Sequence, residues 1–226
     1  MMMRWLALVS FTIALTTCSG TQFRETVHKS ISTGAAPVVH IDNSVGEIRV
    51  TGSPSHSIDI EAVKSGMSEE AVRNIDIDVR SQDNTVTIAT KYRNFGSGGV
   101  RYTISVPAGA SLDINNTTGA VRIDGVDGDV TAATQTGEVD ATVGRVAGRR
   151  SIDLTATTGA LRLAIDPHSD ARVEASTTVG AVSSDFDSVG SARRNVVGAS
   201  ASGTIGSGSA SIRLTTTTGA IALRRS

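Results

Sequence analysis

Three aspartates lie close together in one segment of the chain, at Asp124, Asp127 and Asp129, with Gly125 and Gly128 between them. Carboxylate oxygens are preferred ligands of Ca²⁺, so this spacing makes the segment a candidate calcium site. It lacks the closing glutamate of an EF-hand loop and the glycine pattern of calcium-binding nonapeptide repeats. Because Asp and Gly are also typical turn residues, we interpret the segment as a turn, with calcium as the alternative. We predict no cofactor.

Other residue types that carry catalysis are dispersed along the chain. No Gly-x-Ser-x-Gly nucleophile elbow is present, and the four histidines have no tight metal-ligand spacing. A glycosidase needs two carboxyl groups facing one bond, and most of the other candidate aspartates fall in predicted turns. These histidines and aspartates are His28, His40, His56, His168, Asp153, Asp166, Asp170, Asp185 and Asp187. We therefore predict that the protein is not an enzyme.

The charge balance argues against nucleic-acid binding. The chain has 21 Lys and Arg against 22 Asp and Glu, a net charge of −1. An electrostatic nucleic-acid binder would carry a basic excess. Three arginine doublets, 149–150, 193–194 and 224–225, are interpreted as solvated loop ends, and a stripe that touches anionic glycans or lipid headgroups is the alternative.

A short unit recurs along the chain: Thr, Ser or Val, then Gly, any residue and an aliphatic residue. Glycine allows a sharp turn, because it adopts positive φ without a Cβ penalty. The aliphatic residue then begins a short strand whose alternate side chains face inward. The glycines that we predict to form these turns are Gly46, Gly119, Gly137, Gly159, Gly180 and Gly219.

The repeat predicts an all-β fold. A period of roughly 20 residues favours a β-solenoid, single-stranded and β-helix-like, which we expect to be right-handed. A β-sandwich with regular hairpins is the alternative, because the spacings between turns are unequal. Only 3% of residues are aromatic, which suits a thin core of small aliphatic side chains. One short helix is predicted near 68–74, and strand 221–223 is expected to form an exposed last rung.

The first residues have the features of a secretory signal. Arg4 is positively charged, and the apolar stretch 6–17 is shorter than the about 20 residues that span a membrane. We predict a signal peptide over 1–17, an anchor and linker over 18–36, and a single domain over 37–226.

The only cysteine, Cys18, directly follows this stretch. The sequence Leu15-Thr16-Thr17-Cys18 resembles the lipobox of bacterial lipoproteins, although Thr17 departs from the Gly, Ala or Ser that is usual there. The resemblance implies cleavage before Cys18, acylation of its thiol and, because Ser19 follows, sorting to the outer membrane. A secreted or periplasmic location is the alternative.

Segments 46–52, 68–74 and 106–112, followed by the glycine turns, carry a family likeness. Together they resemble the bacterial "putative adhesin" β-repeat family, a domain of unknown function in cell-envelope proteins. The likeness covers residues 38–226 and implies an extended β-helix-like solenoid. The family has no established catalytic residues, so none is transferred to this chain.

These observations predict a non-catalytic cell-envelope lipoprotein that serves adhesion, scaffolding or ligand binding. We expect its partners to be the membrane, through the N-terminal lipid, and a glycan or an envelope protein. Two alternatives remain open: a polysaccharide-active lyase or hydrolase on a β-helix fold, and an envelope-stress accessory protein that binds a protein partner.

Overall fold

The computed structural model describes residues 22–93, 98–194 and 198–226. They form nineteen strands and one short helix, which confirms the all-β prediction. The signal peptide 1–17 and the lipidation candidate Cys18 lie outside the described residues.

The strands form two sheets. In the order of hydrogen-bonded neighbours, the nine-stranded sheet contains β1 (Phe23–Ser32), β4 (Ser57–Gly66), β7 (Gly98–Pro107), β3 (Ile48–Ser53), β9 (Val121–Asp124), β11 (Val139–Thr142), β13 (Leu161–Ile165), β19 (Ile221–Arg225) and β15 (Val182–Ser184). In the same order, the ten-stranded sheet contains β16 (Val189–Arg194), β17 (Ala199–Ile205), β14 (Ala171–Val179), β18 (Ala210–Thr218), β12 (Ser151–Thr158), β10 (Val130–Thr136), β8 (Ser111–Thr118), β2 (Val38–Val45), β6 (Thr85–Tyr92) and β5 (Ile75–Gln82).

From β8 to β13 the chain alternates between the two sheets, so that one strand of each sheet makes a rung. Successive rungs pair in parallel and in direct register, with Ile114, Ala132 and Leu154 side by side in the ten-stranded sheet. Val121, Val139 and Leu161 occupy the corresponding row of the nine-stranded sheet. These side chains are fully or almost fully buried, because alternate residues of each strand face the other sheet.

The order of the rungs departs from the order of the chain. The C-terminal rung, β18 with β19, lies between β12/β13 and β14/β15. The early rung β2/β3 likewise lies between β6/β7 and β8/β9. The prediction of an exposed last rung at 221–223 is therefore wrong: Ile221 and Leu223 are only 1% and 2% exposed.

Antiparallel strands cover both ends of the stack. At one end, β4 and β1 extend the nine-stranded sheet and β5 extends the ten-stranded sheet. At the other end, β17 and β16 follow β14. The prediction of a linker over 18–36 is wrong for β1, whose Val27 is buried; the alternating charged residues of this edge strand had the composition of a linker.

The one helix in the described residues, α1, runs Glu69–Arg73. Its N-cap is Ser68, whose Oγ accepts a hydrogen bond from the Ala71 backbone N at 3.1 Å. Val72 is its buried residue and fixes the helix against the end of the stack. A short helix near 68–74 is thereby confirmed.

Candidate functional site

All six predicted turn glycines form one corner of the stack, where the chain passes from the ten-stranded to the nine-stranded sheet. Their φ angles lie between +129° and +153°. Each also packs against the backbone of the adjacent rung: a Cβ on Gly159 would lie closer than 3.0 Å to the Gly137 carbonyl oxygen. The glycine corner therefore needs glycine both for its backbone angles and for the close approach of neighbouring rungs.

A column of buried polar side chains lies three residues before these glycines, and we call it the corner ladder. Its members are Asn43, Asn116, Thr134, Thr216 and Thr177. Asn116 Nδ2 donates to the Gly46 carbonyl at 3.0 Å, and Thr216 Oγ1 donates to the Gly159 carbonyl at 3.2 Å. Each such bond ties one rung to the corner of the next. Ala156 occupies the equivalent position in β12 and has no donor to offer.

The corner ladder ends in a buried hydrogen-bond network. Asn43 Nδ2 donates to the Val100 carbonyl at 3.1 Å, and Thr90 Oγ1 donates to Asn43 Oδ1 at 2.9 Å. The Tyr102 hydroxyl lies 2.8 Å from the same Thr90 oxygen. Burial raises the pKa of Tyr102 to about 12, although the Thr90 hydrogen bond opposes this shift.

The outer surface of the ten-stranded sheet carries polar side chains in two parallel rows, which we call the polar face. One row, four residues before the corner glycines, is Asp42, Asn115, Ala133, Thr155, Thr215 and Ser176. The other row is His40, Asp113, Thr131, Asp153, Arg213 and Glu174. Side chains two residues apart in a strand point to the same side, and neighbouring strands are about 4.8 Å apart, so the rows form a regular grid.

A depression of about 400 Å³ opens in this grid around Ala133. Ala133 has the shortest side chain of its row, and Asn115 and Thr155 flank it on the neighbouring strands. Gln135 also lines the depression, so amide and hydroxyl groups converge on it. Beneath it, the buried Oδ1 of Asn116 has no hydrogen-bond partner among the described residues. Asp42 supplies the one carboxylate among the described residues that line the depression; the other polar side chains there are neutral amides and hydroxyls, which both donate and accept hydrogen bonds.

Sequence reasoning did not single out the polar face or the corner ladder. The signal was present: the residues three and four positions before each turn glycine are mostly Asn, Thr, Ser or Asp. Only the pairing of strands shows that one of these positions faces the core and the other faces solvent.

The side chain of Arg150 binds the backbone of the segment that is the calcium candidate, 124–129. Arg150, 9% exposed, donates from Nε to the Gly128 carbonyl at 2.8 Å and from Nη2 to the Val126 carbonyl. Burial lowers the pKa of Arg150, whereas the charges of Asp127 and Asp129 oppose this shift. Asp129 also accepts a hydrogen bond from the Ser151 backbone N at 2.8 Å.

Within the described ranges, no three His, Cys, Asp or Glu side chains lie close enough to hold a metal ion, so Asp124, Asp127 and Asp129 do not converge. Arg150, interpreted from sequence as part of a solvated loop end, is instead a buried clasp. Nothing in the sequence distinguishes the buried Arg150 from its exposed neighbour Arg149.

The remaining aspartate candidates have local partners. Asp170 accepts from the Ser207 hydroxyl and the Gly208 backbone N, which lower its pKa. The other such contacts are Asp185 with Arg224, Asp187 with Arg225, Asp166 with the His168 backbone N, and Asp153 with Thr155. Each aspartate therefore has partners of its own, in the same turn or on a neighbouring segment, and the structure does not join these aspartates into one site.

The histidines also lie apart from one another. His40 Nδ1 is 3.0 Å from Asp113 on the polar face, and His28 Nδ1 is 3.9 Å from Glu61 on the other sheet. His168 lies beside Asp166 in a turn, and the exposed His56 follows β3. In the part of the chain that the structure describes, no helix has the length and apolarity to cross a membrane.

The Toastrack DUF4097 family model matches residues 25–224. A solved structure from Clostridium sporogenes, described as a "putative cell adhesion protein", is similar to this chain with a TM-score of 0.68 at 11% identity, covering 90% of this chain and 100% of that one. A "putative adhesin" from Bacteroides fragilis gives a TM-score of 0.34 at 15% identity, covering 89% and 97% of the two chains. No curated protein matches the chain in sequence.

Proposed function

This chain belongs to the Toastrack DUF4097 family, and we propose that it is a non-catalytic adhesion protein of the bacterial cell envelope whose polar face binds glycan. The observation that carries the proposal is the register of that face, which repeats donor and acceptor groups on six neighbouring strands. A glycan chain repeats its hydroxyl groups in the same manner. Many weak hydrogen bonds along one chain then add up through avidity.

The depression around Ala133 supports this choice of ligand. Its Asn115, Gln135 and Thr155 side chains are neutral and can each donate and accept hydrogen bonds, as sugar hydroxyls do. The fold shared with the Clostridium protein is a further support, because the same architecture occurs in a chain described as a "putative cell adhesion protein".

The proposal includes attachment to the membrane. Residues 1–17 act as a signal peptide, and acylation of Cys18 holds the protein on the outer membrane. The repeated passage between two sheets supports the finer interpretation of the fold as a right-handed β-solenoid, since crossovers between parallel strands are nearly always right-handed. Labelled fatty acid supplied to cells that express the full chain tests the anchor: we expect incorporation that Cys18→Ser abolishes. Labelling that survives the substitution, or none in the wild type, contradicts the anchor.

The binding experiment uses residues 19–226, which contain every strand of the described structure. They are mixed with a panel of envelope polysaccharides and scored both for co-sedimentation and for new chain ends. We expect sedimentation without new ends. New ends would overturn the non-catalytic proposal, and sedimentation with none of the glycans would overturn glycan binding in favour of a protein partner.

Two alanine variants locate the binding surface. Ala133→Arg fills the depression on the polar face, whereas Ala164→Arg places the same side chain on the outer surface of the nine-stranded sheet, where Ala164 is also half-buried. We expect Ala133→Arg to weaken glycan binding at least tenfold and Ala164→Arg to leave it unchanged. Equal effects of the two variants would exclude the polar face as the binding surface.

A further inference from the structure

A second cleft, of about 610 Å³, lies at the end of the stack where the described chain begins. The start of β1, the end of β4 and the start of β7 meet there, with Arg24 opposite Ser65 and Ser65 opposite Gly99. The β2–β3 corner adds Val45, which borders Gly99. Four separate segments of the chain therefore build this cleft.

Exposed apolar side chains concentrate around the cleft. The exposed large hydrophobic residues in the described part of the chain are Phe23, Val38, Val45, Met67 and Val179. Val45 and Met67 line the cleft, and Phe23 is opposite Gly66, the residue before Met67. Phe23 is 48% exposed and Met67 is 66% exposed. Such clustering of apolar surface marks an interaction site more than single exposed residues do.

The same cleft carries positive charge. Arg24 and Arg101 line it and are exposed. Among the described residues that line it, the one carboxylate is Glu47, which is shared among three arginines: Arg49, Arg101 and Arg122. Of the nearby carboxylates, Glu25 is paired with Lys64 at 3.2 Å and Glu69 with Arg73 at 3.5 Å, whereas Glu70 on α1 is exposed. The cleft and its rim, which we call the end surface (Phe23, Arg24, Val45, Met67 and Arg101), thus combine exposed apolar groups with a local excess of arginine.

The position of the end surface in the chain points to its occupant. Only the four residues 19–22 separate the lipidation candidate Cys18 from Phe23. Even fully extended, the five Cα–Cα steps from Cys18 to Phe23 span at most about 18 Å. A lipid on Cys18 therefore holds the end surface within reach of the headgroups of the bilayer.

We propose that the end surface rests on an anionic phospholipid bilayer, a proposal that builds on the envelope placement proposed above. Phe23 and Met67 enter the interfacial region, and Arg24 and Arg101 meet lipid phosphates. The lipid on Cys18 supplies the anchor, and a second, basic and apolar contact fixes the orientation of the domain on the membrane as well as adding affinity. The rungs then stack away from the membrane over roughly 40 Å, since nine strands are spaced about 4.8 Å apart. The polar face then stands upright on the membrane.

The chain offers a clean test because its only cysteine is Cys18, so residues 19–226 contain none. Met67→Cys and Val179→Cys each place one environment-sensitive fluorophore, at the end surface and at the far end of the stack. With vesicles of phosphatidylethanolamine and phosphatidylglycerol, we expect a blue shift for the label at 67 and no shift at 179. Shifts at both positions, or at neither, would overturn the proposal.

Vesicle sedimentation of unlabelled variants adds a second readout. At low salt we expect Arg24→Ser to reduce partitioning about fivefold, because one basic residue near an anionic surface contributes on the order of 1 kcal/mol. Phe23→Ser should reduce it about tenfold, and the matched control Val38→Ser should leave it unchanged. If the variants partition like the wild type, the surface assignment is wrong. Because this test needs no lipid on Cys18, the fatty-acid experiment and the glycan assay can each fail or succeed independently of it.

Discussion

The two corners of each rung join the same pair of sheets by different means. At the glycine corner, the backbone of every rung rests on the backbone of the next, and at every rung except that of Ala156 a polar ladder side chain lies at the contact. At the opposite corner the loops differ in length, only some of them approach backbone to backbone, as Gly52 does with Gly125, and Arg150 reaches back to the carbonyls of residues 126 and 128. A backbone contact repeated at every rung requires the same residue at each one, whereas a corner with few such contacts and one long side chain accommodates varied loops.

The largest expected effect comes from adding one methyl group at the glycine corner. Gly159→Ala forces Cβ into the Gly137 carbonyl and should lower the free energy of unfolding by about 3–5 kcal/mol. Gly148 is the matched control: its φ is +73°, but a Cβ there meets nothing within 4 Å. Gly148→Ala should cost only about 1 kcal/mol of backbone strain. Urea denaturation measures the free energy of unfolding of both variants. Similar losses in the two would mean that the close approach of neighbouring rungs is not what requires glycine at the glycine corner.

The opposite corner should depend on one side chain. Arg150→Met removes the donors to the carbonyls of Val126 and Gly128 and should lower the free energy of unfolding by about 3 kcal/mol. The exposed neighbour Arg149 is the control, and Arg149→Met should change stability by less than about 0.5 kcal/mol. Thermal unfolding compares the two variants, and equal effects would contradict the clasp.

Alkaline pH tests the buried network at the end of the corner ladder. The pKa of Tyr102 is raised to about 12, so the folded protein favours the neutral phenol. This contribution is fully present below the ordinary pKa of about 10 and is lost as the pH rises towards 12, by at most about 2–3 kcal/mol.

Ultraviolet titration of phenolate in the folded protein measures the shift directly. Tyr102→Phe should remove the late titration and the associated alkaline loss of stability. Tyr92, the other tyrosine of the chain, is half-buried and burial raises its pKa as well, so Tyr92→Phe is the comparison variant, and it should leave the titration of Tyr102 in place. If the Tyr102 phenol titrated near pH 10 in the folded protein, it would not be buried in the hydrogen-bond network described above.

A single step of the corner ladder should contribute less. Thr216→Val keeps the shape of the side chain but removes the donor to the Gly159 carbonyl, and should cost about 1 kcal/mol. The exposed Thr217 is the control, because Thr217→Val changes the same residue type on the solvent side. If both variants unfold at the same urea concentration, the ladder bond contributes nothing.

The smallest expected effect comes from adding a hydrogen-bond donor to the corner ladder where it lacks one. Ala156 lies between Thr134 and Thr216 in the column of ladder residues, so Ala156→Thr supplies the missing donor near the Gly137 carbonyl. We expect a gain of roughly 0.5 kcal/mol in the free energy of unfolding, offset in part by the added volume. A loss above about 1 kcal/mol would show that the site is already filled.

Local signals allowed the turns and the helix to be predicted. All six turn glycines have positive φ, and Ser68 caps α1 as its residue type favours. Residues in contact over long separations were not predictable: β1 has the composition of a linker until β4 pairs with it along its whole length. Arg150 and Arg149 are equivalent in the sequence, and only the loop 125–129 distinguishes them.

The sequence by itself determined the all-β class, the corner glycines and the small aliphatic core, because turn geometry and strand alternation depend on neighbouring residues. The tertiary structure alone decided the order of the rungs, with the C-terminal rung inside the stack and antiparallel strands at its ends. It also brought Phe23, Met67 and Arg101 to one surface. The rungs have similar sequences, so their strand edges are similar and local sequence cannot determine which rung pairs with which. The order is determined by how well whole strand edges match, including the edges that the antiparallel strands cover at the two ends of the stack.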